Sequence, residues 1–165
     1  MVNKVTPVDI SIMEMTTQAL YLGIDTGASG GIAILREDGA IQALLPFKKH
    51  SWAEVIVEMV RFKENIKASI LENVTSSRRE NGVQNAFKQG VNIGIIKGIL
   101  LGLGIPFEEV APAKWQKGYE IPKGITYAER KKVMHNIAAG LYPKDKVTKD
   151  MADALLIARY ALMKG

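Results

Sequence analysis

The run Leu20-Tyr21-Leu22-Gly23-Ile24-Asp25, followed by Thr26-Gly27-Ala28-Ser29-Gly30-Gly31, decides the architecture of this chain. A continuous apolar run that closes on a carboxylate reads as a buried strand, and the glycine-rich segment after it reads as a tight turn. Ile32 to Leu35 resumes as a second strand, and Glu37-Asp38-Gly39 is a hairpin signal into Ala40 to Leu45. The domain therefore opens as an antiparallel meander.

Beyond the meander the period changes. Ser51 with Glu54 forms a capping box, and Val55, Met59 and Phe62 continue at helical spacing to about Lys63. Ala68 to Glu72 reads as a short central strand reached by a crossover helix, hence parallel to the first. That connection brings Asp25 and Glu72, each at a strand's C-terminal end, to one edge of the sheet. A polar stretch, residues 73–82, leads into a long helix in which Gly90, Gly94, Gly98 and Gly102 recur every fourth residue. Each interior glycine costs up to about 1 kcal/mol of helix stability, so the stripe predicts unusually close packing, against the chain's own sheet, another helix or a second subunit. Pro106 to Val110 is a further short strand, and residues 111–118 a linker carrying Trp115. Thr126 with Glu129 caps a helix to about Leu141, and Thr148 stands at the cap of a last helix, Lys149 to Met163. Residues 1–17 read as a flexible leader or extension, and residues 18–165 as one domain without internal repeats.

Composition narrows the chemistry. With 165 residues the chain can close a single hydrophobic core, and its 47% hydrophobic and 24% charged residues exclude wholesale disorder. The absence of cysteine removes disulfides, thiolate-zinc sites and cysteine nucleophiles. His50 and His135 are the only histidines, so a bound cation is expected to be oxygen-ligated Mg2+ or Mn2+. Net charge is +5; setting aside Asp25, Glu72, Asp150 and Asp153 leaves 13 acidic residues against 22 basic ones, an excess of nine that suits a polyanion. The longest apolar run, around Ile99 to Ile105, is too short for a membrane span, and a cytoplasmic location is expected.

The four set-aside acids carry the functional reading. Asp150 and Asp153 share one face at the start of the last helix, where free N–H groups favour negative charge. Read alone, such a pair is a capping device. Together with Asp25 and Glu72, which end apolar strands without an evident partner in sequence, it predicts a divalent metal site, since converging carboxylates in a low-dielectric setting repel one another unless a cation compensates. Four carboxylates can hold two Mg2+ ions about 4 Å apart, the arrangement that serves phosphodiester hydrolysis. Arg78, Arg79, Lys114, Lys117, Arg130 and Lys131 are the candidate DNA-backbone contacts. Trp115 could stack on a base or anchor its loop to the core.

The segments Leu22-Gly23-Ile24-Asp25-Thr26-Gly27, Ile70-Leu71-Glu72, Val110-Ala111-Pro112-Ala113-Lys114 and Lys149-Asp150-Met151-Ala152-Asp153-Ala154-Leu155 resemble, in order and spacing, the RuvC family of Holliday junction resolvases, closest to its compact phage-encoded branch. The resemblance runs from about Leu20 to Met163. It implies an RNase H-like fold with a mixed five-stranded sheet flanked by helices, and a homodimer that nicks four-way DNA junctions to leave 5'-phosphate and 3'-hydroxyl ends. It further implies that Asp25 bridges two Mg2+ ions, that Glu72 and Asp153 complete their shells, and that Asp150 occupies a position where the family varies between acid and histidine. Lys114 matches a basic residue near the scissile phosphate, and a second such residue falls at Arg130 or Lys131. The polar stretch after Glu72 aligns with the family's junction-inserting loop, and the glycine-marked helix with its dimer-forming helix. Roles in recombination or repair, and a host-cytoplasm location for a phage-encoded protein, follow from the same likeness.

Three rival readings remain. An actin-like ATPase shares the opening strand but requires a second lobe. A nuclease of the same fold acting on flaps, forks or other branched nucleic acid would use identical chemistry. A non-catalytic junction-binding module would leave the clustered carboxylates unexplained.

Overall fold

The structure, a computed structural model, describes residues 18–73 and 82–165. The proposed leader and the arginines at 78 and 79 lie outside the described residues, as does most of the stretch expected to enter the junction. Strands β1 (Leu20–Asp25), β2 (Gly31–Arg36) and β3 (Ile41–Pro46) form the meander. Helix α1 (Trp52–Phe62) and a short 3-10 turn lead to β4 (Ile66–Glu72), after which come α2 (Gly82–Gly102), β5 (Glu108–Val110), α3 (Pro112–Trp115), α4 (Tyr127–Leu141) and α5 (Lys149–Lys164). The five strands form one mixed sheet in the order β3-β2-β1-β4-β5, antiparallel within the meander and parallel across β1, β4 and β5. With helices on both faces, this is the RNase H-like α/β architecture.

The sheet separates two cores by the alternation of each strand. Leu20, Leu22 and Ile24 face α1 and α2, packing with Val55, Met59, Phe62, Ile96 and Leu100. Tyr21 faces the other way, with Ile70, Val110, Trp115, Met134 and the buried length of α5. With a period of two, Gly23 and Asp25 follow Tyr21, and Glu72 follows Ile70, onto the α5 side. Ile24 pairs with Leu71 in the parallel register, so Asp25 and Glu72 lie one step further along neighbouring strands.

Local signals account for most boundaries. Gly39 turns the β2–β3 hairpin at φ 81°, a left-handed conformation open to glycine at no steric cost. Both capping boxes are present, Ser51 with Glu54 and Thr126 with Glu129, each worth about 1 kcal/mol. Four expectations shift. Strand β4 starts at Ile66 rather than Ala68, because Ile66 is already buried in the α1 core. Strand β5 starts at Glu108, two residues after Pro106, which has no N–H to donate. The linker at 111–118 is a helical turn followed by a 3-10 turn. Thr148 stands at the N-cap of α5, yet its side chain makes no capping bond; its carbonyl accepts from Met151 N at 3.1 Å.

Helix α5 reaches its position through one close approach. A Cβ at Gly23 would fall within the van der Waals radii of Ala154 O and Ala158 N, both backbone atoms of α5. Only glycine lets the helix lie this near β1, and its alanines continue the contact. Gly23→Ala is expected to lose about 3 kcal/mol of stability, measured by chemical denaturation; a loss under about 1 kcal/mol would contradict this packing.

Candidate active site

Three carboxylates from three elements converge on the α5 side of the sheet edge. Asp25 closes β1, Glu72 closes β4 and Asp153 lies in the second turn of α5; all three are buried, at 6%, 7% and 7% exposure. They line one cavity of about 490 Å³, together with Gly27 to Gly30, Gln89, Gln116, Tyr127, Arg130, Lys131, Lys149 and Asp150. Basic groups therefore stand beside the acids.

Each carboxylate is oriented differently. Asp25 Oδ1 accepts from Gly27 N at 2.9 Å, and the turn is closed by Gly30 N donating to Gly27 O at 2.8 Å. A Cβ at Gly30 would strike the Asp25 carbonyl, so this turn folds directly back on its carboxylate. Glu72 Oε1 accepts from Trp115 Nε1 at 3.1 Å. Trp115 is fully buried and packs edge-on to Tyr119, which excludes the base-stacking role and establishes it as an anchor. Asp153 Oδ2 accepts from Lys131 Nζ at 2.5 Å, and the same ammonium lies 3.8 Å from Asp25 Oδ2. Asp153 Oδ1 is buried without a hydrogen-bond partner, as is Arg130 Nε. Asp150 differs from the other acids: it is part-exposed and pairs with Lys48 at 3.1 Å.

The structure thus supplies the partner that the sequence did not reveal for Asp25. It is Lys131, from α4. Arg130 and Lys131, the two alternatives for the basic residue on this helix, both line the cavity, and Lys131 is the one that touches the carboxylates. Lys114 is not brought to the cavity. Its neighbour Trp115 takes the inward position of the short α3 turn, and Lys114 reaches outward to Glu108 Oε1 at 3.4 Å. Lys117 is exposed and also outside the cavity, whereas Gln116 lines it. Sequence reasoning missed Lys48, Gln89, Gln116 and Tyr127. Lys48 had a readable signal: Pro46 pairs with Gly31, which pairs with Asp25, so the end of β3 lies on the same sheet edge.

Burial and mutual repulsion dominate the electrostatics. Burial pushes the Asp25 carboxyl up, Lys131 opposes it, and the charge of Asp153 adds to the rise. Burial, then Asp25 and Asp153, push Glu72 up to about 8, against the Trp115 N–H and Lys131. Burial works against the Lys131 ammonium, but Asp25 and Asp153 outweigh it and hold the group above the usual lysine range. The all-oxygen donor set and the unpartnered Asp153 Oδ1 fit a hard divalent cation in type. They are not a finished cage. Among the described residues, no group of three or more His, Asp or Glu side chains is gathered closely enough to hold a metal as it stands.

The Glu72 shift has a definite stability consequence. From its ordinary value of 4.5 up to about 8, the folded chain keeps a proton on Glu72 that the unfolded chain has lost. The folded state therefore binds more protons across that window, and stability falls as pH rises through it, levelling off above. Lys131 is charged in both states throughout and does not offset the trend. Denaturation with chelator present is expected to show this decline, and Glu72→Gln to flatten it; a flat wild-type profile would contradict the burial of these acids.

No family model matches the chain, and no curated protein matches it. Two solved structures are similar in fold. One is Thermus thermophilus RuvC in complex with a Holliday junction substrate, at 16% identity and a TM-score of 0.55, over 89% of this chain and 96% of that one. The other, also T. thermophilus RuvC, gives 16% identity and a TM-score of 0.57 over 86% and 92%. At this distance the likeness is one of fold, and it agrees with the RNase H-like architecture of the sheet and its flanking helices.

Proposed function

We propose that this protein is a Mg2+-dependent, structure-selective endodeoxyribonuclease that cuts four-way DNA junctions as a homodimer, leaving 5'-phosphate and 3'-hydroxyl ends. The observation that carries the reading is the convergence of buried Asp25, Glu72 and Asp153 on one cavity walled by Arg130, Lys131 and Lys149. A purely structural ion pair requires one acid and one base; three buried acids stand against one touching lysine, an excess that keeps Glu72 protonated in the absence of a stronger cation. Asp25, Glu72 and Asp153 are the residues that would hold two Mg2+ ions, with Asp150 contributing from the rim. When bound, such ions activate water and stabilise the departing oxygen.

The chain's own groups do the remaining work. Gly27 N–H and Trp115 Nε1–H fix the Asp25 and Glu72 carboxylates, so that neither turns away on binding. Arg130 and Lys149 present positive charge to a phosphodiester entering the cavity. Gln89 and Gln116 offer neutral hydrogen-bonding groups on the same wall.

Junction selectivity in this reading comes from pairing two such sites. A Cβ added at Gly90, Gly94, Gly98 or Gly102 would meet nothing within 4 Å, which removes close packing against the chain's own sheet as the reason for the stripe. The exposed Val83, Phe87, Val91 and Leu101 share that stripe, all within about a third of the helix circumference at 100° per residue. Four glycines cost the helix about 3 kcal/mol; a second copy of α2 supplies the close contact that offsets this. The T. thermophilus RuvC of similar fold was captured with a Holliday junction substrate, which supports a branched DNA substrate here.

A synthetic four-way junction and a matched linear duplex test the proposal. The wild type is expected to sediment as a dimer and to cut the junction with Mg2+, sparing the duplex. Asp25→Asn, Glu72→Gln and Asp153→Asn are each expected to slow single-turnover cleavage by about 1000-fold or more, the scale of removing a principal electrostatic catalytic group. Retained cleavage in these variants contradicts the nuclease assignment. Equal cutting of the duplex, or of flaps and forks, contradicts only the junction selectivity.

A further inference from the structure

Lys131 sits where a cation would. It comes from α4, separate from both elements whose carboxylates it contacts, and its ammonium lies 2.5 Å from Asp153 Oδ2 and 3.8 Å from Asp25 Oδ2. The ammonium occupies the position from which a divalent ion would engage Asp153 Oδ2, and the two cations would repel one another across the same carboxylates. We propose that Lys131 is a built-in counter-ion, that a divalent metal binds by displacing its ammonium from Asp25 and Asp153, and that the displaced group then meets the DNA phosphate. The inference rests on the metal-dependent reading above and adds an internal competitor to it.

Three further features support the exchange. Asp25 of β1 and Asp153 of α5 both meet the one ammonium, so acids from two separate elements are arranged around it. Lysine suits such a movement, being a compact charge on a flexible stem, whereas a planar guanidinium would tend to lock in place. The ammonium also has a second partner already within reach. The Tyr127 ring lies 5.8 Å from Nζ and lines the same cavity while remaining 58% exposed. An aromatic face stabilises a cation there through its quadrupole while leaving the ammonium open to a phosphate.

The test uses the full chain, Mn2+ as probe and no DNA. Titration calorimetry is expected to show Lys131→Met binding Mn2+ about tenfold or more tightly than wild type, since a binding-competent state no longer has to be released from the ion pair. Without metal, Lys131→Met is expected to melt below wild type, and saturating Mn2+ to restore more of its stability than it adds to wild type. In the wild type, Mn2+ is expected to speed amine labelling of Lys131, read by mass spectrometry; this arm decides alone if the variant fails to fold. Equal or weaker Mn2+ affinity in Lys131→Met, or Lys131 labelling unchanged or slowed by Mn2+, overturns the counter-ion role and leaves the nuclease reading standing. Absence of Mn2+ binding in both proteins overturns both.

Discussion

Everything in this fold that bears on function depends on holding three carboxylates out of water within reach of one ammonium. Burying one acid beside one base is ordinary; burying Asp25, Glu72 and Asp153 around Lys131 is not, because the interior cannot screen their repulsion. Burial first, and then the neighbouring carboxylates, push Asp25 and Glu72 upward. Such an arrangement lowers the stability of the protein at neutral pH, and a structure selected for stability alone has no reason to keep it. Its cost is understandable if the acids are held ready for a stronger cation than lysine.

The rest of the molecule serves that placement. The parallel pairing of β1 with β4 aligns two strand ends, so that alternation turns Asp25 and Glu72 to the same side. Gly23 lets α5 lie against β1 at backbone contact, which carries Asp153 to the edge where the strands end. Trp115, buried under α3, holds Glu72 by its indole N–H. Helix α4 closes the site through Met134 and Ala138, whose burial sets the rotation that delivers Lys131 one turn earlier on the same face. On the opposite side of the sheet, α2 turns Ile96 and Leu100 inward and its glycine stripe outward.

The fold was largely legible because its signals are local. Apolar runs, capping boxes and the hairpin turn act within a few residues of themselves, and the crossover rule then orders the strands. Asp25 and Glu72 were readable for the same reason, as charges ending apolar runs. Asp150 and Asp153 looked equivalent in sequence; a rotation about the α5 axis buries one and leaves the other at the rim with Lys48. Lys114 was misleading because the chain from 111 to 118 looked like a loop, and a single helical turn with Trp115 inward sends its neighbour out toward Glu108. Lys131 could not be chosen over Arg130 without the packing of α4. That packing is a long-range property, invisible to any window of sequence.

Anomalous diffraction from crystals of the protein grown with Mn2+ tests the central claim most directly. The account predicts anomalous density at the Asp25, Glu72 and Asp153 carboxylates, with the Lys131 ammonium withdrawn. Saturating Mn2+ with no density there, and Lys131 still bonded to Asp153, would contradict it.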